Sequence, residues 1–138
     1  MFKNFFAKLT GCQEVPPVRT DAFGTTKFIF NENFTKLRYE LVVNDLELFT
    51  MAHIHLGMKG KNGPIVAFLF GPVSPSISVD RGIVKGTLTK DDLVGPLKGM
   101  CLSELAFEMK TGNAYVNAHT ERYPDGEIRG QIKESNCC

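Results

Sequence analysis

The sequence has no tryptophan, only three histidines in 138 residues, and no apolar run approaching the ~20 residues that a membrane-spanning helix needs. It also lacks an excess charge of either sign. Sixteen basic and 15 acidic residues leave a formal net charge of +1, whereas proteins that track a phosphate backbone concentrate Lys and Arg well beyond their acids. The expected partners therefore include neither nucleic acid nor a spanned bilayer. Internal repeats and low-complexity segments are missing as well. Gly57, Gly60 and Gly63 recur, but no Lys-Ser or Lys-Thr pair follows them, so they do not form a phosphate loop. The first residues, M-F-K-N-F-F-A-K-L-T-G, have their apolar patch broken by Lys3, Asn4 and Lys8 and do not read as a secretion signal. No Ser-His-Asp or Cys-His pattern is legible, and Asp91-Asp92 reads as a helix start rather than a pair of catalytic carboxylates.

Cysteine is scarce, and its four copies are not spaced as a metal knuckle. Cys12 and Cys101 are candidates for a disulfide. The adjacent Cys137 and Cys138 suit a cross-link to another chain, and hence a homo-oligomer or a surface or coat layer, or else reduced thiols in the cytoplasm. Localisation is left open between these.

What is present is a moderately apolar chain, 43% hydrophobic and 22% charged, in which 11 phenylalanines supply the aromatic core of a globular domain. One domain is expected, with a core over about residues 3–133 and a tail at 134–138. The hydrophobic pattern alternates with period two in short runs bounded by turn residues. Strands are expected at Phe2–Thr10, Phe23–Phe30, Lys36–Val43, Thr50–Leu56, Ile65–Phe70, Ser78–Leu88, Ala114–Thr120 and Glu127–Lys133. The alternation is clearest in K-L-R-Y-E-L-V-V, with Leu37, Tyr39, Leu41 and Val43 on one face. Asn44-Asp45 reads as a turn, Gly82 as a bulge, and I-V-A-F-L-F as a strand buried on both faces. Gln13–Val18 contains Pro16-Pro17 and reads as a rigid irregular crossing. Thr89 suits the cap of a short helix begun by Lys90, Asp91 and Asp92 and ended by Gly95-Pro96. Leu102–Lys110 has apolar residues at helical spacing with Gly112 beyond its end. The fold class is thus all-β and antiparallel, a sandwich or barrel with one or two short helices.

All three histidines lie in two of these runs. In M-A-H-I-H-L-G, His53 and His55 project from one face and Ile54 from the other, which is a bidentate arrangement. His119 lies in A-Y-V-N-A-H-T, which can pair nearby in a sheet. Three imidazoles with one open position suit Cu(II), Zn(II), Ni(II) or Fe; copper heads the affinity order and is favoured, with zinc as the alternative. The competing reading makes the histidines structural, hydrogen-bonded to backbone or to Glu14 and Glu127. Glu14, held by the proline pair, is a candidate fourth ligand or outer partner. Asn117 shares a face with His119 and Tyr115 and is a candidate for orienting an imidazole. Arg129 is a candidate partner of Glu127 or guide for an anion, and Tyr115 and Tyr123 read as core or corner aromatics.

Three separated motifs carry a resemblance. L-T-G-C-Q-E-V-P-P-V-R-T-D-A-F-G, then A-H-I-H-L-G with N-G-P-I-V, then A-Y-V-N-A-H-T with Y-P-D-G-E-I-R-G-Q-I resemble the CHRD domain family over Phe5 to Lys133. The family is named for chordin and occurs widely in bacteria. The resemblance implies an immunoglobulin-like Greek-key β-sandwich and a structural or protein-interaction module, with a bacterial source, and no defined activity. The His-x-His strand with a later strand histidine also resembles the copper site of the Cu,Zn superoxide dismutase sandwich, which implies a copper redox enzyme. The chain departs from that pattern, because no histidine is left for a bridging ligand or a separate zinc site, and no electrostatic loop is recognisable.

Overall fold

The computed structural model describes residues 3–135. Its strands are β1 (Asn4–Thr10), β2 (Phe23–Phe30), β3 (Leu37–Leu56), β4 (Ile65–Phe70), β5 (Ile77–Leu88), β6 (Ala114–Thr120), β7 (Ile128–Gln131) and β8 (Lys133–Glu134), with one α-helix, α1 (Leu102–Lys110). The all-β, antiparallel expectation holds, and so does the helix. Leu102, Leu105, Ala106 and Met109 are its buried stripe.

β3 organises the rest. It runs 20 residues and pairs with β2 and β5 along Leu37–Asn44, then with β6 and β4 toward its end. The order β2-β1-β7-β6-β3 closes on itself through the β2–β3 pairing, giving a five-strand ring with β4 and β5 on β3 and β8 on β1. The turn expected at Asn44-Asp45 is absent. The chain stays in strand there, and the positive φ of Asp45 and Leu48 bends it through an irregularity between Leu46 and Phe49. Asn44 pairs with Arg81 and Leu46 with Val79, so the two polar residues stay in the ladder and the irregularity follows them at Glu47 and Leu48. The bulge expected at Gly82 is not found, since Gly82 pairs in register with Val43.

Other expectations shift for equally local reasons. β4 is not buried on both faces: it pairs only with β3, and Phe68 is 42% exposed. Lys90–Asp92 forms a 3-10 turn capped reciprocally by Thr89 and Asp92. Gly95-Pro96, rather than simply ending it, opens a second such turn, Gly95–Leu97. The last strand breaks at Ile132, which turns inward to the core. Cys12 and Cys101 are both free and exposed, so they form no disulfide. Cys137 and Cys138 lie outside the described residues.

The core fills the ring, with Ala52 and Ile54 of β3 facing Val116 and Ala118 of β6 among Phe28, Leu41, Val66 and Ile128. Because Ala52 and Ile54 point inward, His53 and His55 must point to the other side. They are nevertheless buried, because loops cover that side. Ile54 therefore anchors the strand that presents them. Its replacement by Ala is expected to cost about 2–5 kcal/mol of stability, measured by urea denaturation.

Candidate metal centre

β3 and β6 pair so that His53 lies opposite Asn117 and His55 opposite Tyr115, with His119 two residues further along the same face. Register alone thus brings His53, His55, Tyr115, Asn117 and His119 onto one patch. One ring nitrogen from each histidine lies within 4.8 Å of those of the other two.

The hydrogen bonds determine the tautomers. His55 Nδ1 lies 3.0 Å from the carbonyl of Gly63, and His119 Nδ1 lies 2.8 Å from the carbonyl of Pro124. A carbonyl only accepts, so each Nδ1 carries the proton and each Nε2 is left with a lone pair. His53 Nδ1 stands 3.1 Å from His119 Nε2 and must be the donor to it. His53 Nε2 therefore bears a lone pair too. Both His53 Nε2 and His55 Nε2 are buried without a partner. Burial of a lone pair without a donor is costly, and two such lone pairs lie in this one patch.

The loops that cover the patch supply those carbonyls. After β3, residues 57–64 fold back so that Gly63 offers its carbonyl to His55 while its N–H donates to the Tyr115 hydroxyl. A Cβ on Gly63 would run into the carbonyl of Leu56, so only glycine permits this approach. After β6, the Tyr123–Gly126 turn delivers Pro124 to His119. Phe68 stands edge-on to the His53 ring, with centroids 4.4 Å apart. Tyr115 lies parallel to His55 at 4.8 Å, and the Arg129 guanidinium covers the other face of Tyr115 at 3.5 Å.

Of the expected outer residues, only Asn117 lies among the histidines; Glu14 reaches Asn117, and Glu127 and Arg129 turn to other partners. Glu14 is buried, with its carboxyl beside the Asn117 amide. It follows a 3-10 turn, Gly11–Gln13, and the chain beyond it, with Val15–Pro16 cis, is tied to the 57–64 loop by a bond from Asn62 to the carbonyl of Val15. Glu127 instead accepts from the hydroxyls of Thr20 and Thr120, and no bond links it to a histidine. Arg129 is not paired with Glu127 either: it donates to Asn62 Oδ1, the Met58 carbonyl and Gln131 Oε1. Tyr115, Phe68, Gly63 and Pro124 were not assigned to the site from sequence. Only Tyr115 carried a signal, the period-two spacing with Asn117 and His119.

Burial pushes the His53 imidazole down to about 3, helped by His119 and His55 facing it. His55 and His119 are also lowered, mainly by burial. All three are neutral near pH 7, the form that binds metal. Glu14 moves the other way. Burial raises it to about 7, against the lowering pull of Arg129 and Asn117.

These shifts have opposite consequences. Below the ordinary histidine value of 6.5 the unfolded chain takes up protons that folded His53 refuses down to about 3, so stability is lost as pH falls through that window. Folded Glu14 holds a proton that the unfolded chain releases above 4.5, so its contribution is complete below 4.5 and lost as pH rises through 7. Replacing Glu14 by Gln removes only the second effect. The Glu14→Gln protein is expected to gain stability relative to wild type between about pH 5 and pH 8, a trend that urea denaturation at both values checks.

Comparison with known proteins locates the patch in a wider group. A family model described as the CHRD domain matches residues 5–132, which include all three histidines. Chordin of Danio rerio is 30% identical over 130 residues, 94% of this chain and 13% of that protein. Chordin of Xenopus laevis is 29% identical over 131 residues, 89% of this chain and 12% of that protein. The chain spans about an eighth of the length of the curated relatives it matches.

Proposed function

Because the chain belongs to the CHRD domain family, we propose that this example is a metal-binding β domain in which His53, His55 and His119 hold one divalent transition-metal ion, copper favoured and zinc the alternative. The observation that carries this reading is the convergence of three neutral, buried imidazoles, two with a lone pair that no group in the described structure receives. The spacing fits. One ring nitrogen from each histidine lies within 4.8 Å of those of the other two, a separation that small side-chain adjustments close to the reach of one ion with bonds of about 2.0–2.1 Å. The Nδ1 bonds to Gly63 and Pro124 orient His55 and His119 as carbonyl partners orient metal-bound imidazoles generally. Imidazole donors and the Irving-Williams order favour copper.

No catalytic step is assigned. The superoxide dismutase likeness does not extend past the three ligands, because the chain contains no further histidine. At the level of fold, we read the ring as an immunoglobulin-like Greek-key sandwich joined through the bend in β3. The test is calorimetric titration of metal-stripped protein with copper and zinc. One tight equivalent per chain supports the reading, and absence of binding ends it.

A second reading, the structural or protein-interaction module, is favoured by a different surface. Phe23 and Ile29 of β2 and Ile83 of β5 are exposed on either side of β3, and β5 pairs on one side only. Under that reading, substitutions at these residues abolish association with a partner while leaving metal uptake unchanged.

A further inference from the structure

Strands β2, β3 and β5 present an outer face in continuous register. Phe23, Lys27 and Ile29 of β2 stand opposite Asn44, Glu40 and Arg38 of β3, and these stand opposite Arg81, Lys85 and Thr87 of β5. From Arg81 to Leu88 exposed and covered residues alternate along β5, so Arg81, Ile83, Lys85 and Thr87 share the solvent side, with Ile83 50% exposed. The charges on this face are unbalanced. Lys27, Arg38, Arg81 and Lys85 meet a single acid, Glu40, 3.6 Å from Lys85, whereas the whole chain holds 16 basic and 15 acidic residues. Lys27, Arg38 and Arg81 have no carboxylate within salt-bridge distance among the described residues.

β5 is also an open edge. It pairs with β3 alone, and among the described residues no backbone bond of 77–88 goes to any other segment. Ile77–Leu88 contains no proline to block a further strand, so a row of N–H and C=O groups points outward. The edge cations repel a second copy of the chain, since the pairing that sets Ile83 on Ile83 puts Arg81 opposite the other copy's Lys85. The same cations attract a strand of opposite charge. Asp80 does not belong to this half of the strand: it borders a hollow at the other end with Asp45 and Glu47. The receptive stretch is therefore Arg81 to Leu88.

We propose that the edge from Arg81 to Leu88 receives an extended acidic segment of a partner protein, added to the sheet as a further strand. This deepens the protein-interaction reading, on which it rests, by naming the partner's chemistry. In an added strand alternate side chains share the cationic face. Two carboxylates four residues apart then lie beside Arg81 and Lys85, and an apolar residue midway between them lies beside Ile83. Backbone bonds to β5 hold the segment, and the acid-apolar-acid pattern selects it. Lys27 and Arg38 reinforce the positive field from the strands behind.

The experiment titrates the protein at low salt with two end-blocked peptides, T-E-T-V-T-E-T and T-K-T-V-T-K-T, and follows backbone amide shifts and amide hydrogen exchange by NMR. Wild type is expected to bind the glutamate peptide at least about tenfold more tightly than the lysine peptide, with slowed exchange at amides of β5. The double variant Arg81→Glu, Lys85→Glu is expected to reverse that preference; the comparison of the two peptides on wild type stands without it should the variant fail to fold. No binding of the glutamate peptide, equal affinity for the two, or unchanged exchange in β5 overturns the acidic strand and leaves the interaction reading standing. Protection of β5 that grows with protein concentration in the absence of peptide assigns the edge to a second copy and also overturns it. Shifts confined to other surfaces with both peptides overturn the interaction reading at this face as well.

Discussion

His119→Ala is expected to weaken copper and zinc binding by more than about 100-fold, because losing a ligand exceeds the about 10–100-fold that follows loss of an outer partner. His119 is the hinge of the cluster. Its Nε2 receives the His53 proton in the absence of metal, and its Nδ1 is aimed by the Pro124 carbonyl. Removing the ring leaves two imidazoles on one strand and no cross-strand ligand. His53→Ala is expected to produce a loss of similar size. The fold should survive both, since the core side of β3 and β6 is built by Ala52, Ile54, Val116 and Ala118. Calorimetry on the two variants, with circular dichroism to monitor folding, checks the prediction. An affinity within about threefold of wild type in both would place the ion elsewhere.

Arg129→Ala is expected to cost about 2–4 kcal/mol of stability, because it leaves a buried cavity and strips the donor from three acceptors. Arg129 is 1% exposed, yet no carboxylate lies within salt-bridge distance of it among the described residues. Its charge is satisfied by stacking on Tyr115, by bonds to Asn62, the Met58 carbonyl and Gln131, and by the field of nearby Glu14. Deleting it strips one face of Tyr115, whose other face holds His55, and frees the 57–64 loop that supplies Gly63. Metal affinity should fall with stability. Arg129→Lys is not expected to rescue, because an ammonium neither stacks on the ring nor reaches three acceptors in one plane. Urea denaturation of the three proteins measures the effect, and a loss below about 1 kcal/mol in Arg129→Ala would contradict it.

Much of this was legible from residue spacing. A histidine on either side of Ile54 could share a face only in a strand, and Asn117 and His119 carried the same period in β6. What spacing cannot give is register. Whether His53 meets His119 depends on how two strands some 60 residues apart slide past each other, and the offset is set at the irregularity between Phe49 and Met51, where β3 gains a residue on β6. The bend in β3 was missed for a related reason: Asn44-Asp45 carries the composition of a turn, but core packing by Val43 and Leu46 holds the strand through it. Glu127 and Arg129 looked like a pair because they are two apart. β7 begins only at Ile128, so strand alternation does not reach Glu127, and the two side chains find different partners. The covering loops were invisible as ligand-orienting groups because they act through backbone carbonyls, which any residue can provide.

The most direct test of the three-histidine centre is electron paramagnetic resonance of the protein loaded with one equivalent of Cu(II), in wild type and in the His53→Ala and His119→Ala variants. The account predicts one tightly held ion with hyperfine coupling to three imidazole nitrogens, and a spectrum that changes in both variants. A spectrum with fewer nitrogens that is the same in all three proteins, or copper that washes off the wild type, would contradict it.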